Sequence, residues 1–281
     1  MRTETFQTPG DVRLDVRLGS GEIRLESSET DETTVTLEPL RDNEASVTAI
    51  QEARLEQRGE EILVDVRGPR RFLRGADVLV EIRCPDGASV RAKSGSADVE
   101  GHGRFGSVEV ETGSGDVQFS EIGGDAEISA ASGDVQLATV GGEGRINTAS
   151  GDVQVSTIAG AAKVNSASGD VQIRETGGAL EVNSASGDVL VREAASSVSV
   201  NTASGDQTIG SVVQGKVDLK SASGDLKIGI REGSTLYVDA RSRSGEVRSE
   251  LPVTDLPPEG DAPHIELRAN TMSGDITVVR A

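Results

Sequence analysis

Short runs of alternating apolar and polar residues recur along the chain at a fixed interval. In the segment 161–178, Val171 and Ile173 alternate with polar neighbours, which is the period of a β-strand. The motif SGD interrupts the alternation and returns every eighteen residues from Ser114 to Ser204. Frequent glycine and the lack of a 3.6-residue apolar stripe argue against helix in this part of the chain.

The apolar positions of successive repeats form columns. The column three residues after each SGD serine holds Val117, Val135, Val153, Val171, Val189 and then Gln207. Identical columns at a constant interval fit a parallel coil, because like residues then stack on like. The sequence therefore predicts an all-β fold, a single-stranded parallel β-helix (β-solenoid) of about eighteen residues per coil. We expect the coil to be right-handed.

The regularity of the repeat changes along the chain. It is strict over 108–210, and the interval between motifs then lengthens to nineteen, twenty-one and twenty-nine residues, with a Pro-rich loop at 251–264. Residues 1–90 are less regular, although they contain strand-like runs and one helical stretch at 42–57. We predict an irregular, β-rich capping region at 1–90 and a solenoid at 91–281, since a capping segment protects the strand edges at a solenoid end.

Charge and composition narrow the classes of partner. A net charge of −19 argues against nucleic acid and against anionic membrane surfaces. The chain has no apolar run of about 18 residues and no signal-like amino terminus, so we expect a cytoplasmic protein that meets the cell envelope only through a partner. The lone Cys84 predicts a buried, inert thiol. The basic cluster Arg67, Arg70, Arg71 and Arg74 is either a solvated loop or an anion site.

One aspartate per repeat forms the most conspicuous polar column. Its members are Asp116, Asp134, Asp152, Asp170, Asp188, Asp206 and Asp225. In the structural interpretation, Ser and Asp accept hydrogen bonds from turn amides, and Gly supplies the unusual backbone angles. In the functional interpretation, the column binds calcium, because eighteen residues equal two nonapeptides of a calcium-binding β-roll. Calcium needs six to eight oxygens, however, and each coil supplies one carboxylate. We therefore predict no metal site and no cofactor.

Other polar residues give weaker signals. The column Asn147, Asn165, Asn183 and Asn201 predicts a ladder of stacked amides, although the face that it occupies is ambiguous, since the Ser or Thr that follows each Asn could point inward instead. His102 and His264 are far apart in sequence, and we expect both to be loop residues. We find no nucleophile elbow, no phosphate-binding loop and no Trp for sugar stacking. These observations predict a protein that is not an enzyme.

The repeat resembles that of a known family. The segments IAGAAKVN at 158–165 and SASGDV at 166–171 follow the patterns I-x-G-x-A-x-V-N and S-x-S-G-D-V. They are similar to the bacterial domain of unknown function 4097, labelled "putative adhesin", and the similarity covers about 90–281 and extends to the start of the chain. The resemblance implies a β-solenoid without established catalytic residues.

These observations favour a non-catalytic scaffold or binding protein that uses an extended surface to contact a protein or a polymer. We expect the partner to dock on the irregular parts, at the arginine cluster or at the loop from Leu251 to His264. One alternative is a structural protein that self-assembles through its solenoid ends. A second alternative is a carbohydrate-active β-helix enzyme.

Overall fold

The computed structural model describes residues 1–66, 75–251 and 264–281. The chain divides into two compact units, unit 1 at 1–142 and unit 2 at 143–281. Both consist mainly of short strands that pair in parallel, residue on equivalent residue, which confirms the predicted parallel β-solenoid. The hand of the coil and a division near residue 90 stay predictions.

Unit 1 contains eleven strands and one helix among its described residues. They are β1 (Arg2–Gln7), β2 (Arg13–Ser28), β3 (Glu32–Pro39), α1 (Glu44–Glu52), β4 (Arg54–Arg58), β5 (Glu61–Asp65), β6 (Val78–Pro85), β7 (Ser89–Phe105), β8 (Val108–Ser114), β9 (Val117–Ile122), β10 (Ala126–Ser132) and β11 (Val135–Val140).

Coils of unit 1 do not follow chain order. Strand β2 is a full coil that pairs in parallel with β7, and β7 in turn pairs with β8 and β9. On its other side β2 pairs with β5 and β6. Antiparallel strands then extend the sheet, with β4 on β5, β3 on β6 and β1 on β3. The first part of the chain thus contributes both a regular coil and the strands that cover it.

The predicted helix is present, but it is shorter than expected. Helix α1 begins after Asn43, whose Oδ1 accepts a hydrogen bond from the amide of Ser46 at 2.7 Å, as an N-cap residue does. It ends at Glu52, and residues 54–58 form β4 instead. There Leu55 is buried opposite Val64. Pairing with β5 therefore overrides the helical preference of this segment.

Unit 2 contains fourteen strands among its described residues. They are β12 (Gly144–Ser150), β13 (Val153–Ile158), β14 (Ala162–Ser168), β15 (Val171–Thr176), β16 (Leu180–Ser186), β17 (Val189–Ala194), β18 (Val198–Ser204), β19 (Gln207–Val212), β20 (Gly215–Ser223), β21 (Leu226–Ile230), β22 (Thr235–Ser242), β23 (Val247–Ser249), β24 (His264–Ser273) and β25 (Ile276–Arg280). Each coil supplies one strand before its SGD or SGE motif and one after it.

Stacking in unit 2 follows the predicted columns. Val164 lies opposite Val182, and Val171 lies opposite Val189. Val164, Val171 and Val182 are all completely buried. Burying each such side chain contributes about 1.5–3 kcal/mol, and every coil shares this core with its neighbours. The aliphatic columns therefore hold successive coils in register.

The last coils of unit 2 are exchanged relative to the sequence. The final coil, β24 and β25, pairs with β20 and β21 on one side. On its other side it pairs with β22 and β23, which precede it in the chain. The coil 235–249 consequently lies outside the coil 264–280. The regular spacing of motifs does not predict this exchange.

Candidate functional site

The aspartate column forms a hydrogen-bond ladder along the turns. Within each unit, the amide of an Asp donates to Oδ1 of the Asp in the neighbouring coil, for example Asp134 to Asp116 and Asp170 to Asp152, both at 2.8 Å. The glycine before each Asp allows the turn, since Gly187 has φ +119° and a Cβ there would lie 2.2 Å from the carbonyl oxygen of Gly169.

These contacts match the structural interpretation of the column. The seven predicted Asp side chains lie at the surface, exposed except for the half-buried Asp170. Hydrogen bonds from amides of the neighbouring coil are accepted by Oδ1 of Asp116, Asp152, Asp170, Asp188, Asp206 and Asp225. Among the described residues, no group of three or more His, Cys, Asp or Glu side chains is arranged to hold a metal ion. That the column binds no calcium stays a prediction.

The asparagine column of unit 2 forms a second ladder, on the outer face of the strands that precede the SGD motif. Its amides join directly, with Nδ2 of Asn165 donating to Oδ1 of Asn147 at 2.8 Å. Asn183 and Asn201 continue the ladder, each donating to the Oδ1 of the preceding Asn at 3.1 Å. All four are half-exposed. The Asn column thus points outward, which resolves the ambiguity left by the sequence.

Charged residues flank the asparagine ladder on the same face. Lys163 Nζ lies 2.9 Å from Oε1 of Glu181, and Asn183 Nδ2 donates to the same oxygen at 2.9 Å. The bond from Lys163 is the main cause that lowers the pKa of Glu181, followed by the bond from Asn183. The face therefore presents preorganised amides beside a fixed ion pair.

A column of hydroxyls lies on the inner side of the same strands. Its members in unit 2 include Thr148, Ser166, Ser184, Thr202, Ser221 and Thr271, all buried. Gln207, which replaces the column valine, is completely buried beside them and donates from Nε2 to Thr202 Oγ1 and to the carbonyl of Lys220, both at 2.8 Å. It bridges two coils at the point where the repeat lengthens to nineteen residues.

Unit 1 contains an open cavity of about 620 Å³ beside the turn that joins β4 and β5. Its charged lining residues are Arg13, Asp15, Arg58, Glu60, Glu61, Arg91, Glu109, Asp125 and Glu127. Arg91 and Glu109 form an ion pair at 3.0 Å. The sequence did not predict this cavity, because its residues come together only through the order of the coils. The alternating outward charges on β2, β7 and β8 were the available signal.

The remaining candidates lie apart. His102 is exposed on β7 of unit 1, 3.9 Å from Glu100, and His264 opens β24 of unit 2. Both histidines lie in strands, so the expectation that they are loop residues was wrong, because pairing continues through both positions. Cys84 is completely buried, as predicted, and burial raises the pKa of its thiol to about 12.

Two predicted docking regions fall largely outside the described residues. They are the arginine cluster Arg67, Arg70, Arg71 and Arg74, and the loop 251–264 except for its two end residues. Among the residues that are described, no helix is long and apolar enough to cross a membrane.

Fold and surface together define a parallel β-solenoid with hydrogen-bonded polar ladders on its exterior. The Toastrack DUF4097 family matches residues 12–212 and again residues 179–279. The chain therefore belongs to this family, as the repeat motifs predicted.

Two solved structures illustrate what this chain is similar to. A "putative lipid binding protein" from Parabacteroides distasonis is 12% identical, with a TM-score of 0.42, and the match covers 100% of this chain and 96% of that one. A "putative adhesin" from Bacteroides fragilis is 12% identical, with a TM-score of 0.40 and the same coverage. No curated protein matches the sequence significantly. At this level of similarity, neither description is transferred to this chain.

Proposed function

We propose that the protein is a non-catalytic binding scaffold that contacts a protein or a polymer through an extended outer surface. The observation that carries the proposal is the asparagine ladder of unit 2. It places hydrogen-bonding side chains in line on four successive coils, at 147, 165, 183 and 201. We call this ladder, together with Lys163 and Glu181, the amide face.

Order within the amide face favours binding. The side chains of Asn165, Asn183 and Asn201 are held by one another, so a partner loses little side-chain entropy when it binds. An amide has two N–H donors and a carbonyl oxygen with two acceptor sites, and the ladder uses only part of this capacity. Such a row suits repeated hydrogen bonds to an extended partner.

The experiment compares this face with a matched amide column. The test variant replaces Asn165, Asn183 and Asn201 by Ala. The control variant replaces Gln154 and Gln172 by Ala, because these exposed amides lie on the strands that follow the SGD motif. Each protein is immobilised as bait, partners are identified by mass spectrometry from lysate, and affinity is then measured with the purified partner. Circular dichroism confirms that both variants fold.

We expect the asparagine variant to lose at least tenfold in affinity, while the glutamine variant binds as the parent does. Two further variants test the regions predicted from sequence, one with reversed charges at Arg67–Arg74 and one with a short Gly/Ser turn in place of 252–263. Binding that survives the asparagine changes but not these two would refute the amide face and place the contact on the irregular segments.

A further inference from the structure

The outermost coil of unit 2 has an open edge. Strand β22 pairs with β24, and no other strand of the described residues pairs with it. The inward-facing residues of the coil 235–249 are less buried than the residues opposite them in the coil 264–280. Val247 is 47% exposed, whereas Ile276, directly opposite on β25, is 0% exposed. Val238 is half-exposed opposite the completely buried Leu267. Part of the apolar core of the unit is therefore uncovered here.

The polar ladder ends at the same coil. The amide of Glu246 donates to Oδ1 of Asp275 at 2.8 Å, as an Asp amide does in the other coils. The longer Glu side chain instead bonds to Arg248, with Nε donating to Oε2 at 2.9 Å. The other SGE motif, at Glu22, also ends its ladder, since β6 places Leu79 beside it and the Glu22 carboxylate pairs with Arg24.

Replacement of Asp by Glu therefore marks coils beyond which the regular ladder does not continue. A further coil stacked in parallel on the coil 235–249 would find no Asp Oδ1 ready for its turn amide. This disfavours head-to-tail growth from the open edge. Antiparallel pairing with another strand remains as the way to form hydrogen bonds with the free backbone N–H and C=O groups of β22.

We propose that β22 pairs antiparallel with β22 of a second copy of this chain, about a two-fold axis at Ala240. In this register Asp239 lies opposite Arg241 of the second copy, and Arg241 lies opposite its Asp239. Directly opposed charges of opposite sign stabilise a strand pair. Tyr237, 47% exposed, lies opposite Arg243 of the second copy, where the guanidinium can contact the ring.

The two neighbouring symmetric registers are less favourable. Moving the axis by one residue, to Asp239 or to Arg241, places two like charges directly opposite each other, which destabilises the pair. The axis at Ala240 keeps outward residues opposite outward residues, and it brings the half-exposed Val238 opposite Ser242 on the inner side. A two-fold contact uses the same patch on both copies and closes on itself, so the product is a dimer and not a filament. The inference is independent of the amide face.

Charge reversal provides the test. In Asp239→Arg, four arginines meet at the proposed contact, and in Arg241→Asp, four aspartates meet there. We expect each single variant to weaken self-association by about tenfold or more. The double variant Asp239→Arg/Arg241→Asp restores opposite charges and should dimerise as the parent does. An equimolar mixture of the two single variants should form a heterodimer, because one copy then supplies both arginines and the other both aspartates.

Mass is measured by sedimentation equilibrium on the full chain over a range of concentrations, with circular dichroism to confirm folding. A monomeric parent overturns the proposal, and so does a dimer that both single variants retain. The proposal is also overturned if the parent is monomeric and a variant with a Gly/Ser turn in place of 252–263 dimerises. That result would identify 252–263 as the segment that covers the edge. A mixture of single variants that stays monomeric overturns the register.

Discussion

Adjacent residues on one strand of the solenoid meet opposite environments. Val171 is completely buried in a column of aliphatic side chains, and Gln172, the next residue, is exposed. The alternation seen in the sequence thus corresponds to the inside and the outside of the coil. It is also the property that single substitutions can test most directly.

Val171→Asp should lower the free energy of unfolding by about 3 kcal/mol or more, or prevent folding, because an unpaired carboxylate would enter a core shared by three coils. Gln172→Lys, its control on the opposite face, should change this free energy by less than about 0.5 kcal/mol. Urea unfolding followed by circular dichroism measures both. Equal shifts for the two variants would reverse or abolish the assignment of faces.

Residue columns were predictable from sequence because strand alternation and an exact repeat leave few arrangements for them. The orientation of the asparagines was not, since Asn165 and Ser166 are both polar and either could face inward. The structure shows a half-exposed Asn165 and a buried Ser166. Packing decides this, because the small hydroxyl fits inside the coil and the longer amide reaches the amides of the neighbouring coils on the outside.

At the scale of the element, one coil of eighteen residues is the repeat that can be added or removed. Strands β14 and β15 lie between equivalent strands of the neighbouring coils, and identical columns face them on both sides. Without them, Asn147 would meet Asn183, and Val153 would meet Val189. Without β14 and β15, the two neighbouring coils should therefore pair directly with each other in register.

Deletion of Ala161–Gly178 should leave a folded protein with a cooperative thermal transition, because only one set of coil contacts is lost. Deletion of nine residues, 161–169, is the control. It should prevent cooperative folding, since a turn would then lie opposite a strand and apolar columns would face outward. Both are followed by circular dichroism during heating. Equal loss of structure in the two would contradict a coil of eighteen residues.

Elements outside the regular array were less predictable for a physical reason. Residues 54–58 carry a helix-like pattern, yet pairing with β5 makes them a strand. The exchange of the last two coils could not be predicted from the sequence either, because 235–249 and 264–280 carry equivalent columns and either could lie next to β20. Local periodicity specifies that a segment forms a coil, but it does not specify which neighbour that coil selects.

At the scale of the whole molecule, the chain has a formal net charge of −19 at pH 7, and one aspartate per repeat forms a row of carboxylates. The aspartate ladder contributes one carboxylate per coil, and in Asp188 and Asp206, for example, Oδ1 accepts a hydrogen bond from an amide of the neighbouring coil. The charge is thus spread along the turns, and no group of three or more His, Cys, Asp or Glu side chains among the described residues is arranged to hold a metal ion.

Millimolar calcium should leave the melting temperature within about a degree of its value in chelator, because calcium needs six to eight oxygen ligands in one site. Magnesium at the same concentration is the control for general screening of the negative charge. Differential scanning calorimetry provides the measurement. A rise of many degrees that chelator reverses and magnesium does not reproduce would identify the ladder as a calcium site.

The exchanged coils also set the order of events during synthesis. A growing chain exposes its amino-terminal parts first, so 235–249 emerges before the coil that separates it from β20 and β21. Until 264–280 emerges, its equivalent columns can align with β20 and β21 directly. If that alignment forms first, the coil 264–280 completes the unit by insertion between two coils and not by addition to an end. A chain whose synthesis stalls before residue 264 therefore lacks the coil that separates 235–249 from β20 and β21 in the complete fold.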